Sequence, residues 1–382
     1  MEQYEFYMPT HLYFGVGSLG KLAEAIGVEG WQRVLIVTGP KVSRTDCFKE
    51  TVKALENAGV AYEIFDRVEP DPSAETVERG GAMAAAMKAQ CVLGYGGGSN
   101  LDAAKAVAVI ATNGGRARDH FGKPRYGKLP LPIAAVPTTA GTASEVTYFS
   151  VVTDTAKREK FPLASSQIAP RMAALDARVL ASAPKPVLAA AGMDALTHAV
   201  ESYLSRNATP VTGALALEGV RLVGANLKRL CDDPSDLEAG AAMLLGSNMA
   251  GWAFNHSQLG VAHALALPPG ARFGVPHGVA NAILLPVAMA YNRSACAEAM
   301  AAVGRALGVP SHLGVEEQAA AAVEVVRALG RAVGLPAGLG EVGVSSEAFE
   351  AMIEDASRSR HIAANPRTVA PGDLLALYKQ AF

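Results

Sequence analysis

The chain has 382 residues, half of them hydrophobic and 18% charged, with a formal net charge of −2. That length exceeds one compact core, so two domains are expected, and the apolar content excludes a disordered chain. Acids and bases are spread evenly with no basic stripe, which argues against nucleic acid or an anionic membrane as a partner.

Cys47, Cys91, Cys231 and Cys296 are isolated, without C-x-x-C spacing. They read as reduced thiols of a cytoplasmic protein, and their spacing offers no obvious zinc cluster. The opening "MEQYEFYMPT" lacks a basic segment followed by an apolar one, so it does not read as a signal peptide. The apolar run "GVANAILLPVAMAY" (278–291) carries Pro286 and is short for a membrane span.

In chain order, "THLYFGVGSLGKL" (10–22) reads as a strand, a turn and the start of a helix. "RVLIVTG" (33–39) reads as a buried strand, 45–58 as a helix, "AYEIFD" (61–66) as a strand and 73–89 as a helix. "CVLGYGGG" (91–98) is a strand running into a glycine loop, "SNLDAAKAVAVIA" the helix after it, and "LPIAAVP" (131–137) a further strand. Strands alternating with helices predict a parallel sheet covered on both faces. The pattern changes at "LASAPKPVLAAAGMDALTHAVESYL", where Pro184 and Pro186 introduce a helix and Ala/Leu-rich helices continue almost to the end. The expected organisation is an α/β domain over 1–182 and an all-α domain over 183–382. Ligand sites in such proteins tend to lie at the C-terminal ends of parallel strands and between domains.

In "GYGGGSNLDAAKAVA", Gly96, Gly97, Gly98 and Ser99 stand between a strand and a helix. Glycines let the backbone approach a ligand, and a helix N-terminus offers free N–H donors to a phosphate. A tight strand-to-helix turn would use the same glycines. Asp102, in the first turn, could complement the helix dipole or accept a bond from a ribose or amide. The next strand ends in "PTTAGTASEVT" (137–147), where Thr138, Thr139, Thr142 and Ser144 surround Gly141. Those hydroxyls could hold a pyrophosphate or ribose, or cap a helix.

The helical half contains "GMDALTHAVESYLS" (192–205), with Asp194 and His198 one turn apart on the same helix face. For an isolated pair, an ion pair or buried polar contact is the ordinary explanation. His263 lies in "GVAHALALPPG", read as the end of a helical stretch halted by Pro268 and Pro269. His277 opens the next helix in "VPHGVANAILLP". One carboxylate and three imidazoles from three helical segments form a set that a divalent cation uses.

With "GGGSNLDAAKAVA", "PTTAGTASEVT", "GMDALTHAVESYLS", "GVAHALA" and "PHGVANAILLP" in this order and spacing, the chain resembles the iron-containing (group III, metal-dependent) alcohol dehydrogenases. That family includes lactaldehyde reductase and 1,3-propanediol dehydrogenase, and the likeness covers nearly the whole chain. It implies an α/β dinucleotide domain and a helical domain of the dehydroquinate synthase-like architecture, with a metal in the cleft. Asp194, His198, His263 and His277 map onto the metal ligands. Gly96 to Ser99, Asp102, Thr138, Thr139, Thr142 and Lys160 map onto the cofactor region. The implied reaction moves a hydride between NAD(P) and a small primary alcohol or aldehyde, with Fe²⁺ polarising the substrate oxygen. Zn²⁺ suits the same donors, and a homodimer is the expected assembly. A metal-dependent lyase of the dehydroquinate synthase type is the alternative.

Three positions depart from the family's usual pattern. Leu267 stands where many members carry a second histidine implicated in proton relay, leaving water, a ribose hydroxyl, His256 or His361 as substitutes. Gly39 stands where NAD-preferring members often carry Asp; with Lys41 and Arg44 nearby, this leans toward NADP or dual use. Near the expected substrate pocket, Phe149 and Phe254 would supply apolar walls. "ASRSRHIAANPR" (356–367) adds Arg358, Arg360 and His361, and Arg272 lies between two ligands. These arginines fit solvated surface charges, or alternatively an aldehyde carrying an anionic group.

Overall fold

The computed structural model describes residues 3–155 and 159–382. The chain divides into two compact units. One comprises Tyr7–Thr139 and Ala143–Ala183; the other comprises Pro184–Phe382, the short segment Ala140–Thr142 and the N-terminal residues up to Phe6.

The first unit runs β1 (His11–Phe14), α1 (Ser18–Val28), β2 (Arg33–Val37), α2 (Asp46–Asn57), β3 (Ala61–Phe65), α3 (Ala74–Ala86), β4 (Cys91–Gly96) and α4 (Gly98–Asn113). It continues with β5 (Ile133–Pro137), β6 (Phe149–Asp154), β7 (Glu159–Ala164) and β8 (Met172–Leu175). Six strands form one parallel sheet in the order β1-β8-β5-β4-β2-β3. Strands β4 and β5 are buried throughout, as a sheet covered on both faces requires. Leu35, Val37 and Val92 pack with Val77 of α3 and Val107 of α4. Tyr95, three residues further along β4, instead meets Phe48 of α2 edge-on with ring centroids 5.1 Å apart. From β2 the chain winds outward to β3, returns to β4 on the other side of β2, and then winds the opposite way to β5. The loops after β2 and β4 therefore diverge and leave a crevice at the carboxyl ends of these strands.

Three strands have no counterpart in the sequence reading. The first two, β6 and β7, form an antiparallel hairpin with Val152 opposite Phe161, and β8 closes the main sheet between β1 and β5. Their signals are weak for physical reasons. "MAAL" is rich in alanine, which favours helix, and Pro162 interrupts β7.

The second unit is helical among its described residues: α5 (Lys185–Leu204), α6 (Pro210–Asp232), α7 (Leu237–Ser257), α8 (Val261–Phe273) and α9 (His277–Asn292). Then come α10 (Ala297–Ala306), α11 (Val315–Ala332), α12 (Phe349–Ser357), the single turn α13 (His361–Ala364) and α14 (Pro371–Gln380). Pro184 caps α5 and Pro186 lies in its first turn, where a missing N–H costs nothing. A core of Leu265, Ile283, Leu284, Met352, Leu377 and Tyr378 joins α8, α9, α12 and α14. No helix among the described residues is long and apolar enough to cross a membrane.

One expectation is corrected. Pro268 and Pro269 do not halt a helix that ends near His263: α8 begins at Val261, places His263 in its first turn and runs through both prolines to Phe273. Pro269 has no N–H for the carbonyl of Leu265, four residues back. The Tyr378 hydroxyl donates to that carbonyl at 2.9 Å, so the helix continues with the freed acceptor satisfied.

Candidate active site

Asp194 and His198 project from α5, His263 from the first turn of α8, and His277 is the first residue of α9. The Nε2 atoms of His277, His263 and His198 lie 3.6, 3.7 and 4.0 Å from Asp194 Oδ1. Ligand atoms about 2.1 Å from a tetrahedral ion stand roughly 3.4 Å apart, so this spacing suits a common cation. Asp194, His263 and His277 each place one ligand atom within 4.8 Å of the other two; His198 does not complete that tight set. Its ring instead stacks between Phe254 and His263, with centroids 4.5 and 4.6 Å away. Asp194, His198 and His263 are buried, whereas the His277 side chain is 41% exposed and forms the open side of the cluster.

The supporting groups leave the Nε2 lone pairs facing inward. His263 Nδ1 donates to Glu201 Oε2 at 2.6 Å, and His198 Nδ1 to the Gly141 carbonyl at 3.2 Å. Burial lowers the pKa of His198 and drives that of His263 well down, and a proton on either neighbouring imidazole, His198 or His277, would lower that of His263 further. Both rings are therefore held neutral, the form that binds a metal. Glu201 is buried, which raises its pKa against the N–H donors that lower it. Its Oε1 accepts from Ala262 N at 2.7 Å, so it also caps the start of α8. The Asn281 amide donates to Asp194 at 2.7 Å. These donors, tautomers and spacings fit a divalent ion.

The other predicted pocket residues separate. Phe254 lies against the cluster through His198. His361 is near it, its ring 6.1 Å from that of His263; its Nδ1 is buried without a hydrogen-bond partner among the described residues, and burial lowers its pKa to about 4. His256 packs against Phe6 with centroids 4.6 Å apart. Leu267 is 47% exposed. Phe149 belongs to the sheet unit, at the start of β6, where its ring lies on Tyr148. Arg272 pairs with Asp355 at 2.7 Å, and Arg358 pairs with Glu354.

In the sheet unit, the predicted cofactor residues gather at the crevice beside β2 and β4. A Cβ on Gly39 would stand 3.2 Å from Asn100 Nδ2, so the end of β2 faces the start of α4. Gly96 has φ +145°, and a Cβ there would sit 2.6 Å from Asn100 Cγ; this bend needs glycine. Gly97 caps α4, which starts at Gly98, and Thr138 N donates to Gly96 O at 2.9 Å. Thr139 Oγ1 lies 3.5 Å from where a Gly97 Cβ would be. Ser99 Oγ accepts from Asp71 N at 3.2 Å, and Asp71 pairs with Lys160 at 2.7 Å. Thr142 falls in the other unit. Asp102 is turned inward, accepting from Ser144 Oγ at 2.6 Å and Val151 N at 2.9 Å. Burial raises its pKa against the lowering effect of Lys105.

Sequence reasoning missed Glu201, Asn281 and Lys105. Two were detectable by spacing. Glu201 continues the Asp194/His198 stripe at i+7, and Asn281 lies one turn after His277. Lys105, completely buried, donates to Ser144 Oγ, Thr147 Oγ1 and Phe149 O at 2.8, 3.1 and 2.6 Å. No local sequence signal sets it apart from a solvated lysine.

Comparison with known proteins agrees with this arrangement. The profile for "Iron-containing alcohol dehydrogenase" matches residues 9–177, and that for "Fe-containing alcohol dehydrogenase family, C-terminal" matches residues 188–382. Lactaldehyde reductase of Escherichia coli K12 is 37% identical over 373 residues, covering 97% of each chain. NAD-dependent methanol dehydrogenase of Bacillus methanolicus is 32% identical, covering 98% of this chain and 99% of that one. A crystal structure of 1,3-propanediol oxidoreductase superposes with a TM-score of 0.97 at 34% identity, covering both chains fully. The chain belongs to the iron-containing alcohol dehydrogenase family: it is an NAD-type alcohol dehydrogenase or aldehyde reductase with an Asp/His metal site.

Proposed function

We propose that the protein interconverts small, neutral primary alcohols and aldehydes, with one Fe²⁺ held by Asp194, His198, His263 and His277. The observation carrying this reading is the convergence of three imidazole Nε2 atoms within 4.0 Å of one buried carboxylate oxygen. The ion, when bound, supplies a Lewis acid for the substrate oxygen while a hydride passes between substrate carbon and nicotinamide. Zn²⁺ competes for the same donors, so metal content after purification depends on supply.

The protein's own residues set the conditions for that chemistry. The buried, neutral imidazoles present lone pairs without competing protons. Phe254 shields His198 and supplies an apolar wall. His361 replaces the missing imidazole at Leu267 as the group able to hydrogen-bond a substrate hydroxyl, because its buried Nδ1 has no hydrogen-bond partner among the described residues. The carboxylates facing Arg272 and Arg358 favour neutral substrates over aldehydes bearing an anionic group. Gly39 leaves no acid at the end of β2, and Lys41 and Arg44 are exposed beside it. We read this as room for NADPH alongside NADH.

The test is a panel of neutral and anionic C2–C4 aldehydes with NADH and NADPH, using enzyme loaded with Fe²⁺ or Zn²⁺. Neutral aldehydes should give the higher kcat/KM; a clear preference for anionic ones would reject the substrate class. A strong preference for NADH would remove the dual-cofactor part. His263→Ala should lose both bound metal and turnover, and full metal stoichiometry in that variant would reject the ligand assignment.

A further inference from the structure

We propose that Glu201 is a positioning residue: by holding the proton on His263 Nδ1, it fixes the ring in the tautomer and orientation that turn Nε2 toward the cation. This inference rests on the metal-site reading above.

Three observations carry it. Glu201 lies on the same stripe of α5 as Asp194 and His198, so one helix supplies two proposed ligands and the group behind a third. Its carboxylate is buried, with Oε2 2.6 Å from His263 Nδ1 and 3.4 Å from His263 N. Capping α8 does not by itself call for a charge. The neighbouring donor, Val261 N, is satisfied at 3.2 Å by the neutral amide of Asn365. A buried carboxylate is expensive where a neutral acceptor would serve. It gains a purpose where the imidazole it contacts donates to a cation on its far side. There, negative charge behind the ring strengthens Nε2 as a donor.

A glutamine at 201 cannot reproduce this. Its single carbonyl can face His263 Nδ1 or Ala262 N, but not both. If the amide nitrogen faces the ring, the proton moves to Nε2 and blocks the ligand position. Aspartate keeps the charge on a shorter stem.

The experiment measures Zn²⁺ affinity by competition with a chelator, and the visible spectrum of the Co²⁺-loaded protein, for wild type, Glu201→Gln, Glu201→Asp, Asn365→Ala and His263→Ala. Glu201→Gln should bind about 10- to 100-fold more weakly and shift the Co²⁺ bands, with Glu201→Asp recovering part of the loss. Asn365→Ala weakens the same helix start without touching His263 and should leave the spectrum in place. Wild-type affinity in Glu201→Gln, or an equal loss in Asn365→Ala, overturns the proposal. Full metal binding by His263→Ala overturns the site reading instead. Should Glu201→Gln fail to fold, nitrogen-15 histidine NMR of zinc-loaded wild type decides. His263 must show a protonated Nδ1 and a metal-bound Nε2, and the opposite tautomer refutes the assignment.

Discussion

Asn281 Nδ2 lies 2.7 Å from Asp194 Oδ1 and 3.2 and 3.1 Å from the Nε2 atoms of His263 and His277. One amide thus faces three acceptors that a cation would also draw together. Asn281 is fully buried and its Oδ1 has no hydrogen-bond partner among the described residues, so the contacts that orient this amide are those of its Nδ2 with the cluster. Asn281→Ala should release the Asp194 carboxylate and weaken metal binding by about tenfold, the lower end for a lost supporting hydrogen bond at a metal site. Chelator competition measures this. Unchanged affinity would reduce Asn281 to a packing role.

The register between α5 and α9 depends on Gly278. A Cβ there would stand 2.2 Å from the Ala190 carbonyl, which belongs to helix backbone and cannot swing away. Gly278→Ala should push the first turn of α9, and His277 with it, off α5. Overpacking of this kind costs about 1–3 kcal/mol or more. The expected result is a lower Tm together with less than one bound metal per chain. Gly372→Ala, in α14 with nothing within 4 Å, is the control and should leave both unchanged.

Legibility of the fold followed the strength of local signals. Strands β2, β4 and β5 are rich in apolar residues because both sheet faces are covered, and the sequence marks them clearly. The weakly marked β8 is specified by its neighbours: Met172 pairs with His11 on one side and Ala134 on the other. Asp194 and His198 were legible by their helical spacing, and His263 and His277 as imidazoles in two further helical segments. Their support was less so, because the role of Glu201 depends on α8 beginning at Val261. The double proline pointed the other way, and only the distant Tyr378 hydroxyl shows why the helix tolerates it.

That hydroxyl offers a direct measurement. Tyr378→Phe removes the donor to Leu265 O while preserving the ring, leaving a buried carbonyl unpartnered at a cost of about 1–3 kcal/mol. The variant should unfold at lower temperature. Since His263 lies half a turn before Leu265, metal affinity should fall as well. A Tm equal to wild type would mean that α8 satisfies the proline break in another way.

Lys105 provides the pH-dependent test in the sheet unit. Its ammonium has three acceptors in Ser144 Oγ, Thr147 Oγ1 and Phe149 O, yet burial still lowers its pKa to about 8 from 10.5. Below pH 8 both folded and unfolded chains hold the proton, and Lys105 contributes no pH dependence. Between pH 8 and 10.5 the unfolded chain holds more protons than the folded one, so the contribution of Lys105 to stability rises with pH. The slope cannot exceed about 1.4 kcal/mol per pH unit. Lys105→Met removes the donor that these three acceptors share and the charge that lowers the Asp102 pKa, a loss of about 1–3 kcal/mol. Urea unfolding of both proteins from pH 7 to 10.5 should therefore show wild type more stable throughout, with the gap widening above pH 8. Comparing the two proteins cancels alkaline titration elsewhere in the chain. Parallel curves across that window would mean that the buried amine keeps its proton as firmly as a solvated lysine, and that its three hydrogen bonds outweigh its burial.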